Sequence, residues 1–251
     1  MENNKRDLVL KDKLILIVGG GHFGKEAIIS SKSSLAKVIL IDPNENCLAS
    51  SFADEKVYNY DFEKLSKINS GKAIFFIVDG IEFLIKLIKE GKIPDFIAPA
   101  VPGHLAAKVL KTFLEDSGLK VETFFEVGKI IEDIPKSLII NANKENGIIV
   151  LSYMPKDKSC NLPCDQPKEY CKTTKRPKFG PIYKLMEFAI WNKVDTYCIL
   201  RSYKLETAVG CFEGEIFYSF LNELKTKSPP YNLAIVTSCG CHGVVNFFSV
   251  K

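Results

Sequence analysis

Two groups of residues have types and spacings that could do chemistry. The first is Gly19-Gly20-Gly21-His22-Phe23-Gly24, which fits G-x-G-x-x-G. A phosphate group can approach peptide N–H groups only where no side chain stands in its way. In this pattern Gly19 permits a tight turn, Gly21 lets the backbone approach a pyrophosphate, and Gly24 lets the next helix pack on the strand. His22 and Phe23 lie where the first amides and the positive dipole end of that helix would face an anion. Lys25 could add a charge there or face solvent. Asp42 ends the following apolar run, 18 residues past Gly24. Its carboxylate would accept hydrogen bonds from ribose hydroxyls and repel a 2′-phosphate, which points to NAD ahead of NADP. The plainer reading of Asp42 is a turn residue before Pro43.

The second group is Cys160-x3-Cys164-x6-Cys171, with Cys239-Gly240-Cys241-His242-Gly243 further on. Buried structural cysteines usually sit among apolar residues. These thiols have Ser159, Asn161, Asp165 and Lys172 beside them, in a stretch rich in proline and lysine. Metal coordination would supply order that secondary structure does not. Zinc or an iron–sulfur cluster takes four ligands as a rule, so Cys239 or Cys241 would complete the set. The spacing points to an iron–sulfur cluster ahead of zinc, with Lys172, Lys175, Arg176 and Lys178 moderating the negative charge. Two other readings stand beside it: incidental surface thiols, or a redox dithiol made of Cys239 and Cys241. Cys47, Cys198 and Cys211 read as core residues.

Only three histidines occur. His104 follows Ala100-Val101-Pro102-Gly103 at a helix start beyond the fifth expected strand. A general acid or base could stand there; a simple helix-start residue is the alternative. His242 is a metal ligand or a loop residue. No G-x-S-x-G, H-E-x-x-H or P-loop lysine motif is present.

The elements that would position these groups alternate. Leu14–Val18, Val38–Ile41, Ala73–Val78 and Phe96–Ala98 are apolar runs that suit strands buried on both faces of a parallel sheet. Val57–Tyr60 and Val121–Phe125 read as further strands. Helices are expected from Phe23, Asp61, Ile81 and Pro102-Gly103. This alternation predicts a doubly wound parallel sheet. The texture changes near Glu126. Asn146-Gly147 between two apolar runs predicts a hairpin. A long loop, a helix over 182–191, a strand over 198–204, a helix over 214–225 and a strand over 233–237 complete the reading. The expectation is an α/β dinucleotide-binding domain over 1–130 and a smaller, cysteine-containing α+β part over 131–251.

The 251 residues are 46% apolar, enough for a sizeable core without disulfide staples. The net charge of +4 is mild and collects between Tyr153 and Lys184, which gives little support for nucleic-acid binding. No run approaches the ~20 apolar residues of a membrane span. The polar N-terminus lacks a signal-peptide core, so the cytoplasm is the expected compartment and the cysteines are expected as thiols or ligands.

Residues 14 to about 115 resemble the nucleotide-binding domain of the TrkA-N (RCK) family and the wider Rossmann superfamily. The residues that carry this are Ile17-Val18-Gly19-Gly20-Gly21-His22-Phe23-Gly24-Lys25, Ile41-Asp42-Pro43 and Val57-Tyr58-Asn59-Tyr60-Asp61. The resemblance implies a bound NAD-type ligand. Three functions follow as expectations. The first is an NAD-dependent oxidoreductase with a cysteine-held metal centre, acting on a small-molecule substrate or a redox partner protein. The second is a sensor of the NAD/NADH ratio without catalysis. The third is a zinc-stapled scaffold. Assembly into a homo-oligomer is left open.

Overall fold

The computed structural model describes residues 8–157, 167–205 and 209–251. Its strands, in chain order, are β1 (Leu14–Val18), β2 (Lys37–Ile41), β3 (Glu55–Val57), β4 (Ala73–Phe76), β5 (Phe96–Pro99), β6 (Val121–Thr123) and β7 (Ile139–Asn143). They continue with β8 (Ile148–Ser152), β9 (Thr196–Arg201), β10 (Tyr203–Lys204), β11 (Gly210–Glu213), β12 (Tyr231–Ser238) and β13 (His242–Val250). The helices are α1 (His22–Ser33), α2 (Gly80–Lys89), α3 (Leu105–Asp116), α4 (Val127–Glu132), α5 (Ile182–Ile190) and α6 (Gly214–Thr226). The chain divides into two units. One comprises residues 1–102 and 203–215, the other 103–202 and 216–251, so the division runs through the first turn of α6.

The first unit holds a seven-stranded sheet in the order β10-β11-β5-β1-β2-β4-β3. From β5 to β3 the strands run parallel, with Ile15 to Val18 of β1 set between Val38 to Ile41 and Phe96 to Pro99. The central residues Ile15, Leu16, Ile17, Val38, Ile39 and Leu40 are wholly buried, as expected of strands covered on both faces. The sheet is not parallel throughout. β11 lies antiparallel to β5 through Phe212 and Ile97, and β10 antiparallel to β11. That corrects the expected doubly wound parallel sheet: the chain returns late and lays two antiparallel strands on what would have been an open parallel edge. Cys211, Leu205 and Val209 join Ile17, Ile28 and Phe75 in the core there.

The second unit is built on a sheet in the order β7-β8-β13-β12-β9, with β6 also paired to β13. Only β9 and β12 run parallel; the other pairs are antiparallel. The molecule is therefore a mixed α/β structure with two mixed sheets. The Asn146-Gly147 hairpin forms as expected, between β7 and β8. Antiparallel strands alternate their side chains between faces. Along β12 and β13, Ala234, Val236, Val245 and Phe247 share one face, packed with Ile182, Met186 and Ile190 of α5 and Val127 and Ile130 of α4. Thr237 and Asn246 lie on the opposite face. No helix among the described residues is long and apolar enough to cross a membrane.

Phe247 is fully buried and its ring lies 6.5 Å from that of Phe124. Phe247→Ala removes a large side chain from a closed core, so unfolding free energy in urea should fall by about 3–5 kcal/mol.

Candidate functional site

The first site is the turn from β1 into α1. Gly19 has φ +107°, a conformation that favours glycine, and a β-carbon there would sit 2.6 Å from the carbonyl oxygen of Ala100. A β-carbon at Gly20 would strike the sulfur of Cys47, and one at Gly24 would strike the carbonyl oxygen of Gly19. All three glycines are thus demanded by the packing of their own unit. Gly21 is different. Its φ is −69°, which any residue adopts, and a β-carbon there would meet nothing within 4 Å.

Gly21 caps α1 without a side-chain hydrogen bond, and the first turn carries no acidic residue. The opening amides of any helix lack intrahelical acceptors, so this end is electropositive and open. α2 makes the contrast plain. Its first turn is closed by Asp79, which accepts hydrogen bonds from the amides of Ile81 and Glu82, each 2.9 Å away. Around the open end, His22 sits 3.6 Å from the carboxylate of Glu26, and Phe23 is 54% exposed. Lys25 stands over the ring of Phe52.

Asp42 does something the spacing did not reveal. Its carboxylate accepts the Gly20 amide at 2.7 Å and the Asn44 amide at 2.8 Å. The acid expected to hold a ribose therefore holds the glycine loop itself. Cys47, packed under Gly20, has its thiol pushed up by burial and by the Asp42 charge. Burial alone does most of this for Cys198 and Cys211, both pushed up to about 12. These three are core thiols, as expected.

The second site is the turn from β12 to β13. Cys239 donates its amide to the carbonyl of His242, and Ser238 Oγ donates to the carbonyls of Cys239 and His242. The Cys239 sulfur accepts the amides of Cys241 and His242 at 3.3 Å each, and lies 3.7 Å from Nδ1 of His242. Cys241 is buried, and Nζ of Lys178 lies 3.0 Å from its sulfur. Tyr153 sets that lysine: its hydroxyl accepts the amides of Phe179 and Gly180 and donates to the Gly180 carbonyl. Burial, with the Lys178 charge, lowers His242 below the ordinary histidine range. Burial pushes the Cys171 thiol up, but hydrogen bonds from Thr174 and the Thr173 amide outweigh it and bring it below the usual value.

Cys160 and Cys164 lie outside the described residues. Among the described residues no three His, Cys, Asp or Glu side chains converge to hold a metal ion. Cys171 turns inward on its own loop, its amide bonded to the carbonyl of Arg176. The expected iron–sulfur or zinc centre is corrected on that ground: the sulfur of Cys239 is satisfied by amides and that of Cys241 by a lysine.

His104 precedes α3 and is 7% exposed. Its Nδ1–H donates to Oδ1 of Asn246 at 2.9 Å, and its Nε2 accepts the Thr237 hydroxyl at 2.9 Å. The two partners share a sheet face, set by the long-range pairing of β12 with β13. Burial lowers His104 to about 4, against the opposing effect of Asn246.

The structure thus defines a two-unit mixed α/β protein with an open helix end in one unit and a thiol–imidazole turn in the other. Residues 14–105 match the family AF_1314_N and residues 106–251 the family AF_1314_C, the N- and C-terminal domains of an uncharacterized protein; the chain belongs to this two-domain family. An uncharacterized protein of Archaeoglobus fulgidus is 29% identical over 231 residues, covering 92% of this chain and 96% of that one. The formate-dependent phosphoribosylglycinamide formyltransferase of Prochlorococcus marinus is 33% identical over 111 residues, which are 43% of this chain but only 23% of that enzyme. Among solved structures, an ADP complex of N5-carboxyaminoimidazole ribonucleotide synthetase is similar at 21% identity and a TM-score of 0.25, covering 49% of this chain and 36% of its own. The synthetase of Thermotoga maritima gives 28% identity and 0.24, with the same coverage. Scores this low carry no argument about the fold.

These findings overturn several expectations. The two matched domains account for residues 14–251, and they replace the TrkA-N resemblance. NAD, the NAD-dependent oxidoreductase and the NAD/NADH sensor rested on that resemblance and are set aside with it, and the zinc-stapled scaffold is set aside because no metal-holding cluster forms among the described residues.

The His104 geometry yields a pH prediction. Its folded pKa, about 4, lies below the unfolded value of about 6.5. Between those values the unfolded chain binds more protons, so this contribution to stability is complete above pH 6.5 and is lost as pH falls toward 4. The expected slope is roughly 1.4 kcal/mol per pH unit within that window. Urea titrations between pH 7.5 and 4 should show it, and His104→Gln should flatten it.

Proposed function

We propose that the first unit binds a phosphorylated ribosyl compound, a nucleotide or a phosphoribosyl metabolite, with its phosphate on the amides that open α1. One observation carries this reading. Of the four glycines in the loop, Gly21 alone has no neighbour among the described residues that would meet a β-carbon, and it stands where a phosphate would have to approach. Helix N-termini bind anions through unpaired amides and the macrodipole together.

Two features support the assignment. The run β5-β1-β2-β4-β3 is parallel and is threaded by α1 and α2, as half of a doubly wound nucleotide-binding sheet would be. In such sheets ligands lie beyond the carboxyl ends of the strands. The name of the 33%-identical relative specifies a phosphoribosyl substrate. On this reading Gly19, Gly20 and Gly24 shape the loop, Asp42 clamps it, and the amides of Gly21, His22 and Phe23 make the contacts.

Calorimetric titration of the full chain with ADP and with ribose 5-phosphate tests the proposal. At least one should bind, and Gly21→Val should weaken it by about tenfold or more, equivalent to about 1.4 kcal/mol. Melting temperature without ligand should fall only by the small cost of losing a glycine helix cap, because the β-carbon enters open space. Unchanged affinity in Gly21→Val, or no heat from either compound, would refute it.

A further inference from the structure

The turn between β12 and β13 presents one thiol and shelters another. Cys241 is 8% exposed and its sulfur is held by Lys178. Cys239 is half-buried, in a turn whose backbone is tied to the elements beside it. The Gly240 carbonyl accepts the Ile182 amide at 3.2 Å, and the Cys241 carbonyl accepts the Tyr153 amide at 3.0 Å. Ser238 and His242 close the turn from within. The sulfur of Cys239 is therefore fixed in place by contacts that do not involve the sulfur itself.

Two kinds of partner reach that sulfur. The amides of Cys241 and His242 donate to it at 3.3 Å each, a geometry that stabilises negative charge as it develops. The imidazole Nδ1 of His242 stands 3.7 Å away, within hydrogen-bond reach of a thiol. A thiol, a base beside it and donors aimed at the sulfur are the parts of an activated nucleophile.

We propose that Cys239 and His242 form a nucleophilic dyad that accepts an acyl group from an activated ester or thioester. The Cys239 sulfur attacks the acyl carbon while its proton passes to Nδ1 of His242. A carbon–sulfur bond forms and the bond from the acyl carbon to the leaving oxygen or sulfur breaks. The leaving group takes the proton from His242 and departs as an alcohol or thiol, leaving an acyl-cysteine. No electrons are exchanged with any further reactant. His242 is a base by position, and Lys178 acts by holding Cys241 aside.

The test uses the full-length protein and p-nitrophenyl acetate, reading nitrophenolate release and mapping acetyl groups on each cysteine by mass spectrometry. The wild type should carry acetyl on Cys239. His242→Gln should slow acetylation at Cys239 about a hundredfold, the lower range for loss of a general base, while acetylation at other cysteines keeps its rate. No adduct on Cys239 in the wild type would overturn the proposal without recourse to any variant. An adduct whose rate ignores His242→Gln, in protein of unchanged circular dichroism, would overturn it equally.

Discussion

The first unit depends on one close approach: the backbone of α1 against the backbone of the strand that precedes it. At Gly24 there is room for a hydrogen atom and nothing larger before the carbonyl of Gly19. That contact sets the angle at which α1 leaves the sheet, and hence where its first amides point. Asp42 then fixes the intervening peptide from the neighbouring strand. The helix end is positioned by sterics on one side and a charge-assisted hydrogen bond on the other, both independent of any ligand. Preorganisation of this kind lowers the entropic cost of binding.

Much of this was legible in the sequence because its signals are local. The runs Leu14–Val18 and Val38–Ile41 are strands, the glycine pattern does open a helix, and Asn146-Gly147 does make a hairpin. What was not legible depends on pairing between distant residues. β11 and β13 are such cases: His242–Val250 follows a cysteine turn whose spacing suits metal ligands as well as a hairpin. Without β13 the face shared by Thr237 and Asn246 could not be seen, and His104 looked free to do chemistry. The expected single strand over 198–204 is in fact two, β9 and β10, which enter different sheets. The expected domain change near residue 130 followed composition, whereas the units part at 102 and 103.

The candidate sites show the same divide. The loop glycines were found by spacing, but spacing could not distinguish those required by packing from the one that is not. The grip of Asp42 on Gly20 gives the acid a structural task where a ligand task was expected. In the second unit Cys239 and His242 lie three residues apart on a tight turn, close enough for a direct reading. The same spacing also suits metal ligands. Lys178 was read as a counter-charge for a cluster; it is a partner for one sulfur.

The late return of the chain to the first sheet has a consequence for how the protein is made. β5 acquires its outer neighbour only when residues 210–213 have been synthesised, after the strands β6 to β9 have all been made. Until then the parallel sheet offers a bare edge, the kind that recruits foreign strands. A fragment ending at the family boundary near residue 105 would keep that edge permanently and lose Leu205, Val209 and Cys211 from its core. The two halves recognised by sequence kinship are thus not two independently inheritable pieces: the earlier half is finished by a loan from the later one.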